Sequence, residues 1–179
     1  MSLTSREVIS FHNEGFLCVE RPMIVAHAIR STQIVYDRLF AGSATHADGK
    51  QFDLAGTNEE GVEAALPQIM NPDRYAPELR DYVLVAADAV VTQLHGPAVS
   101  AEIYHVILKP AKGGAATPWH QDEAYWDPTL QYHSVSIWLP LQEATPENGS
   151  MSFDRAVTSE KCSNIRVLVA THGFAVLSS

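Results

Sequence analysis

Two potential metal ligands, His120 and Asp122, lie two residues apart in the segment 117–126. Side chains at positions i and i+2 of a β-strand point to the same face, so an imidazole and a carboxylate at this spacing converge on one point. One carboxylate with two histidines suits non-haem Fe(II) and leaves coordination positions open. The same two-residue spacing also occurs on exposed loops, so a surface His and Asp are the alternative that this spacing leaves open.

The residues after this segment add a longer pattern. Val135-Ser-Ile-Trp138-Leu-Pro-Leu141 has the alternation of a strand, and the stretch from Glu143 to Phe153 follows with Asn148-Gly at a turn. This order resembles the phytanoyl-CoA dioxygenase family of Fe(II)- and 2-oxoglutarate-dependent oxygenases. The resemblance covers roughly residues 5–153 and is specific over residues 105–153.

The resemblance implies a fold of the α+β class with a mainly β core. That core would be a double-stranded β-helix, also called a jelly roll or cupin-like fold, with N-terminal and flanking helices packed outside. It also implies Fe(II) and 2-oxoglutarate as cofactors, and dioxygen and a small organic substrate as the other reactants. His120 and Asp122 would hold the iron, and Trp138 would line the 2-oxoglutarate pocket.

Four further residues are candidates for the same site. His105 could contact the co-substrate or form a hydrogen bond within its sheet, and Lys109 could offer a cation to a carboxylate or face water at a strand end. Both are assigned to cofactor binding. Tyr125 and Trp126 follow the His-Gln-Asp segment directly and are assigned to the substrate entrance.

After Phe153 the chain departs from the family pattern. The family continues with Pro-Gly-Ser-His, which supplies the second iron histidine, and then with an arginine that pairs with a 2-oxoglutarate carboxylate. This chain instead reads Asp154-Arg-Ala-Val-Thr158, and no arginine follows its remaining downstream histidine, His172. His172 is therefore the candidate third metal ligand, and the jelly roll is expected to be incomplete at its C-terminal end.

One hypothesis for this departure is a frameshifted tail over residues 154–179. Arg155-Ala-Val-Thr158 can be encoded CGG GCA GTC ACN after an Asp154 codon that ends in C. Reading from that C gives CCG GGC AGT CAC, which encodes Pro-Gly-Ser-His. The alternative is a natural family member that is shortened and diverged. In either case we expect weak oxygenase activity or none, unless His172 takes the third iron position.

Length and composition limit the class of protein. The chain has 179 residues, of which 46% are hydrophobic. This length predicts a single domain over residues 1–179. A net charge of −9 argues against nucleic acid and anionic membranes as partners. Two cysteines do not make a disulfide framework, and no signal peptide or membrane-spanning run is present, so a cytoplasmic location is predicted.

Helices are predicted in three places. Thr4-Ser-Arg-Glu7 reads as a capping box for a first helix that buries Val8 and Phe11 and ends at Gly15. A second helix begins at Pro22, with a stripe at helical spacing formed by Ile24, Ala28, Ser31, Val35 and Leu39. A third covers residues 77–95 and ends at Gly96-Pro97. Residues 41–71 read as a long loop with one helical turn at residues 59–66.

Strands are predicted where the hydrophobic period changes to two. They cover residues 16–19, 102–109, 134–141 and 165–170. In the third of these, Val135 and Ile137 share one face, and Ser136 and Trp138 share the other.

Two classes of function follow from this sequence. The first is a 2-oxoglutarate-dependent dioxygenase that hydroxylates a small organic molecule. The second is a non-catalytic jelly-roll module that binds a metal or a small acid, and a site for Zn or Ni is a further possibility. Formation of succinate from 2-oxoglutarate distinguishes the oxygenase from the others.

Overall fold

The structure is a computed structural model of the 179-residue chain. It describes residues 2–19, 21–43, 51–56, 64–99, 105–111, 126–131, 134–145, 148 and, for the backbone alone, 165–170. The chain divides into two compact units, the first formed by residues 1–23, 89–99 and 118–179 and the second by residues 24–88 and 100–117. The assignment of residues 1–179 to one domain stays a prediction.

The described elements comprise helices and short strands. In chain order they are α1 (Ser5–Glu14), β1 (Phe16–Val19), α2 (Ala26–Arg38), a π-helical turn (Leu39–Ser43), β2 (Gln51–Asp53), β3 (Pro67–Met70), a 3-10 turn (Pro72–Arg74), a second π-helical turn (Arg80–Leu84), α3 (Val85–His95), β4 (His105–Ile107), β5 (Ser134–Trp138) and β6 (Ile165–Ala170).

The first unit contains a three-stranded parallel sheet in the order β1-β6-β5. Its core lies against one face of this sheet, where Val135 and Ile137 of β5 pack on a cluster of buried side chains. That cluster consists of Leu3, Phe11, Leu17, Val19, Met23, Val90 and Leu94. The predicted strand at residues 165–170 is confirmed as β6.

Helix α1 of the first unit is bounded by a capping box at its start and by a glycine at its end. The predicted capping box is confirmed: the backbone N–H of Glu7 donates to Thr4 Oγ1 at 3.3 Å, and that of Thr4 donates to Glu7 Oε2 at 2.7 Å. Gly15 ends α1 with a φ of 82°, a conformation that glycine adopts without steric cost. The Gln93 side-chain amide also pairs with the backbone of Leu3, at 2.7 and 3.2 Å.

The second unit contains a three-stranded antiparallel sheet in the order β2-β3-β4. Ile69 of β3 is fully buried in a core cluster with Val35, Leu39, Ala76 and Leu79. Alternation along β3 then places Gln68 and Met70 on the face away from this core. The sheet is therefore covered by core side chains on the Ile69 face.

The second predicted helix differs from α2 at its start and in its buried stripe. Instead of beginning at Pro22, α2 begins at Ala26, after Val25 as N-cap. Thr32 is buried, whereas Ser31 is half-buried. A buried hydroxyl needs a hydrogen-bond partner, and Thr32 Oγ1 donates to the carbonyl oxygen of Ala28 at 2.8 Å. A polar threonine is thus accommodated on the apolar face of the helix.

The prediction of a long loop over residues 41–71 is wrong in part, because β2 and β3 lie within it. Both strands are short, and a segment of this length forms a regular strand only when it pairs with a neighbouring strand. The expected helical turn at residues 59–66 lies largely outside the described residues, and residues 64–66 are not helical. The third predicted helix begins later than Pro77, with a π-helical turn at Arg80–Leu84 before α3.

The predicted strands at residues 102–109 and 134–141 are shorter in the structure. They correspond to β4 and β5, and residues 101–104 lie outside the part of the chain described. Helices together with small sheets make the chain a mixed α and β protein. The strands of a jelly roll are antiparallel, so the parallel sheet of the first unit was not expected, and the double-stranded β-helix stays a prediction.

Candidate functional site

Four of the eight predicted site residues lie outside the described residues. These are His120 and Asp122, the predicted iron ligands, with His172 as the third candidate and Tyr125 at the substrate entrance. Their roles stay predictions. The other four, Trp138, Trp126, His105 and Lys109, have defined positions.

Trp138 is the last residue of β5 and is half-buried. Val135 and Ile137 of the same strand pack against the core of the first unit. Because side chains alternate along a strand, Ser136 and Trp138 lie on the opposite face. This division of β5 into two faces agrees with the sequence prediction.

Trp126 is half-buried and precedes a tight turn. The backbone N–H and the hydroxyl of Thr129 donate to Asp127 Oδ1 at 2.9 and 2.7 Å, and the N–H of Leu130 donates to the carbonyl oxygen of Asp127 at 3.2 Å. The hydrogen bonds from Thr129 hold the pKa of the Asp127 carboxyl below its ordinary value. The turn therefore fixes the chain directly after Trp126.

His105 and Ile107 lie on the face of β4 that is turned away from the core. Val106, between them, packs on the buried cluster that contains Ile69. His105 is exposed and Ile107 is 38% exposed. The N–H of Leu108 donates to the carbonyl oxygen of Pro67 at 2.9 Å, so pairing with β3 continues past the end of β4.

Lys109 lies two residues beyond Ile107, after the end of β4. It is half-buried, and burial lowers the pKa of its ammonium group. A lowered pKa means that burial disfavours the charged form of the ammonium group. The contact of Lys109 with a carboxylate, predicted from the sequence, stays a prediction.

The same sheet face carries four residues that were not among the predicted site residues. Phe52 pairs with Gln68, and Gln68 pairs with Ile107, so the three lie in one row across β2, β3 and β4. Met70 pairs with His105 in the next row. We call Phe52, Gln68, Met70, His105 and Ile107 the open face of the sheet. The alternation of polar and apolar residues at 51–54 was the signal that could have revealed it.

The side chain of Asp53 stabilises the segment that connects β2 and β3. Its carboxylate accepts backbone hydrogen bonds from Ala55 at 3.1 Å, and from Ala65 and Leu66 at 2.9 Å each. Burial raises the pKa of Asp53, but the combined backbone donors outweigh burial and leave the pKa below its ordinary value. The ionised carboxylate thus holds both ends of the segment that joins the two strands.

A second side chain organises the turn after β5. The Asn148 amide group donates to the carbonyl oxygen of Glu143 at 2.7 Å, and its Oδ1 accepts from the N–H of Thr145 at 2.7 Å. These contacts agree with the assignment of Asn148-Gly to a turn from the sequence.

The described part of the chain contains neither a cluster of metal ligands nor a helix that could span a membrane. No three His, Cys, Asp or Glu side chains within it come together in a way that could hold a metal ion. None of its helices combines the length and apolar composition needed to cross a membrane. His120 and Asp122, the predicted iron ligands, lie outside the described residues, and their role in a metal centre stays a prediction.

Comparisons with known proteins identify the family. The profile of the phytanoyl-CoA dioxygenase (PhyH) family matches residues 11–154. The chain is also similar to an L-proline trans-4-hydroxylase from Streptomyces griseoviridis, at 38% identity over 71 residues. That alignment covers 38% of this chain and 26% of the hydroxylase, so the chain spans about a quarter of this relative. No solved structure gives a significant match. Because the family profile matches most of its length, this chain belongs to the phytanoyl-CoA dioxygenase family.

Proposed function

We propose that this chain has the fold and site of an Fe(II)- and 2-oxoglutarate-dependent dioxygenase that hydroxylates a small organic substrate. The observation that carries the proposal is the family match over residues 11–154, which includes His120, Asp122 and Trp138. The proposed fold is the double-stranded β-helix of that family. The similar protein from Streptomyces griseoviridis is an L-proline trans-4-hydroxylase, and this makes a small amino acid the first substrate to test.

The roles of the residues follow from their chemistry. His120 and Asp122 supply an imidazole and a carboxylate for Fe(II), with His172 as third ligand. Lys109 and His105 offer positive charge or hydrogen bonds to the 2-oxoglutarate carboxylates. Trp138 is assigned to the lining of the 2-oxoglutarate pocket from the family resemblance. Tyr125 and Trp126 shape the entrance for the substrate. When bound, iron and 2-oxoglutarate supply the oxidising power, with succinate and carbon dioxide as by-products.

The expected activity of this chain is weak. Residues 155–179 lie outside the family match, and this is the region where related enzymes carry the second histidine and the arginine that binds 2-oxoglutarate. Arginine is favoured at such a position because its planar group binds a carboxylate through two hydrogen bonds. Without it, the 2-oxoglutarate affinity depends on Lys109 and His105.

The position of residues 155–179 outside the family match also favours a second candidate function. A site that keeps His120 and Asp122 but lacks the arginine could bind a metal or a small acid without turnover. The chain would then be a non-catalytic jelly-roll module.

The deciding experiment measures succinate formed from 2-oxoglutarate with Fe(II), with and without L-proline. Uncoupled turnover without substrate already supports the oxygenase. The His120→Ala variant should abolish succinate formation, and His27→Ala, which changes an exposed histidine of α2, should not. Metal binding that depends on His120, with no succinate formed under any condition, would instead support the binding module.

A further inference from the structure

The side-chain hydroxyl of Ser134, the first residue of β5, is buried although the residue as a whole is half-buried. None of the residues that the structure describes forms a hydrogen bond with its Oγ atom. A hydroxyl that loses its hydration without gaining a partner is destabilising, and most buried polar atoms in folded proteins have one. The Ser134 hydroxyl is therefore suited to the polar group of a bound molecule.

The face on which this hydroxyl lies follows from the alternation of side chains along β5. Val135 and Ile137 pack against the core cluster of the first unit. Ser134 lies on the other face of the strand, together with Ser136 and Trp138. Because Trp138 is assigned to the 2-oxoglutarate pocket, Ser134 belongs to the same face of β5 as the proposed pocket. The unit that contains β5 also includes the segment 118–179 with the predicted iron ligands.

The length of this row of side chains decides which molecule would meet Ser134. Each residue of a strand adds about 3.3 Å, so Ser134 and Trp138 are separated by roughly 13 Å along β5. A five-carbon diacid such as 2-oxoglutarate is shorter than this distance. A molecule of 2-oxoglutarate that contacts Trp138 therefore leaves Ser134 to a second molecule, and the second organic molecule of the proposed reaction is the substrate.

We propose that Ser134 binds the organic substrate of this protein through a hydrogen bond with its side-chain hydroxyl. The inference rests on the proposed function, which supplies both the role of Trp138 and the requirement for a substrate. A hydroxyl group can donate a hydrogen bond to a carboxylate and accept one from an amine. Both groups are present in a small amino acid, which is the chemical class of substrate that Ser134 would recognise.

The test measures the binding of L-proline and of 2-oxoglutarate to the full chain without metal, by saturation-transfer-difference NMR. Thermal unfolding without ligand is the second measurement. The variants are Ser134→Ala, which removes the hydroxyl, and Ser134→Cys, which keeps the shape of the side chain but forms only weak hydrogen bonds. Ser31→Ala, which changes a half-buried serine of α2 in the second unit, is the matched control for binding.

Both Ser134 variants should weaken the binding of L-proline about fivefold or more, because one hydrogen bond is lost. Their unfolding temperature without ligand should stay the same or rise, since the buried hydroxyl has no partner among the described residues. Binding of 2-oxoglutarate should change less than twofold in both variants, and Ser31→Ala should change the binding of neither probe.

Three outcomes would overturn the inference. They are no saturable binding of L-proline, an affinity for L-proline that Ser134→Ala leaves within twofold of the original, and a loss in Ser134→Ala that Ser134→Cys does not share. In the second case, a lower unfolding temperature would assign the hydroxyl to a buried water molecule. Because neither measurement uses iron or turnover, such a failure leaves the oxygenase proposal standing. A failure to form succinate would likewise leave Ser134-dependent binding of L-proline unchanged.

Discussion

The carboxylate of Asp53 accepts a hydrogen bond from the backbone N–H of Leu66 at 2.9 Å, thirteen residues further along the chain. A second bond from Ala65 has the same length. These bonds join the end of β2 to the residue before β3, where strand pairing alone gives only three residue pairs. A single ionised side chain thus contributes to holding β2, and with it Phe52, in the second unit.

Replacing Asp53 with alanine should destabilise the fold in a pH-dependent way. The native pKa lies below the ordinary value of 3.8, so the contribution is fully present above that value and is lost as the pH falls through the native pKa. At pH 7 we expect a loss of about 1–3 kcal/mol, because backbone N–H groups lose a charged acceptor. Urea unfolding of both proteins at pH 7 and at about pH 3 measures this; a difference that grows at the lower pH would contradict it.

Gly56→Ala should also be destabilising, because of Asp53. A Cβ at position 56 would overlap Asp53 Oδ2, so the carboxylate would have to leave its backbone donors. We expect a cost of about 1–3 kcal/mol. In the Asp53→Ala background the overlap with Cγ and Oδ2 is gone and only the contact with Cβ, at 3.3 Å, remains, so the cost of Gly56→Ala should fall to a small fraction of that value. A double-mutant cycle by urea unfolding measures the coupling, and additive costs would show that the two residues act independently.

The sequence predicted the helices of this chain better than its short strands. The capping box at Thr4 and the glycine end at Gly15 are local signals, and both are confirmed. Strands β2 and β3 have three and four residues, and such segments are stable only through pairing with each other and with β4. A local pattern cannot report that pairing, which is why residues 41–71 were assigned to a loop.

The candidate site likewise contains residues that the sequence could place and residues that it could not. Trp138 was placed on the correct face of β5, because strand alternation and the neighbours Val135 and Ile137 decide it. The row of Phe52 and Gln68 was missed, since it exists only after three strands from distant parts of the chain come together. The structure therefore adds to the sequence prediction those residues whose neighbours are decided by how the strands pair.

The ion pair between Glu7 and Arg21 should be visible in a titration. Hydrogen bonding from Arg21 is the largest cause that lowers the pKa of Glu7 to about 2, from a usual 4.5. The Arg21→Met variant should move the Glu7 midpoint upward toward 4.5, although the Thr4 hydrogen bonds remain. Arg6→Met, on the same helix, is the control and should leave the midpoint in place. NMR of the Glu7 carboxyl carbon records both.

The same pair should contribute to stability above a pH of about 4.5 and lose that contribution as the pH falls toward 2. Both side chains are partly exposed, at 20% for Glu7 and 42% for Arg21, so solvent screening keeps the effect near 0.5–1 kcal/mol, a rough range for such pairs. Thermal unfolding of Arg21→Met at pH 7 should show this loss. A variant as stable as the original at pH 7 would mean that the pair contributes nothing.

Iron affinity should depend on His120 and Asp122 and respond less to His172. Removing His120 or Asp122 leaves Fe(II) with two predicted protein ligands, one of which is His172. We therefore expect the affinity for Fe(II) to fall by about tenfold or more. His27→Ala should have no effect. Titration of Fe(II) under nitrogen gives the affinities, and an unchanged value for His172→Ala would remove that residue from the metal site while leaving the other two in place.

The nucleotide sequence of the gene tests the hypothesis of a frameshifted tail. If the tail over residues 154–179 is frameshifted, the codons for Arg155 to Thr158 should read CGG GCA GTC ACN after a C, and the overlapping frame should continue to an arginine codon. A chain rebuilt in that frame should then bind iron more tightly and form succinate faster than the original, because it regains a histidine ligand and a bidentate carboxylate partner. Codons at these positions that do not contain Pro-Gly-Ser-His in the overlapping frame would leave a diverged family member as the explanation.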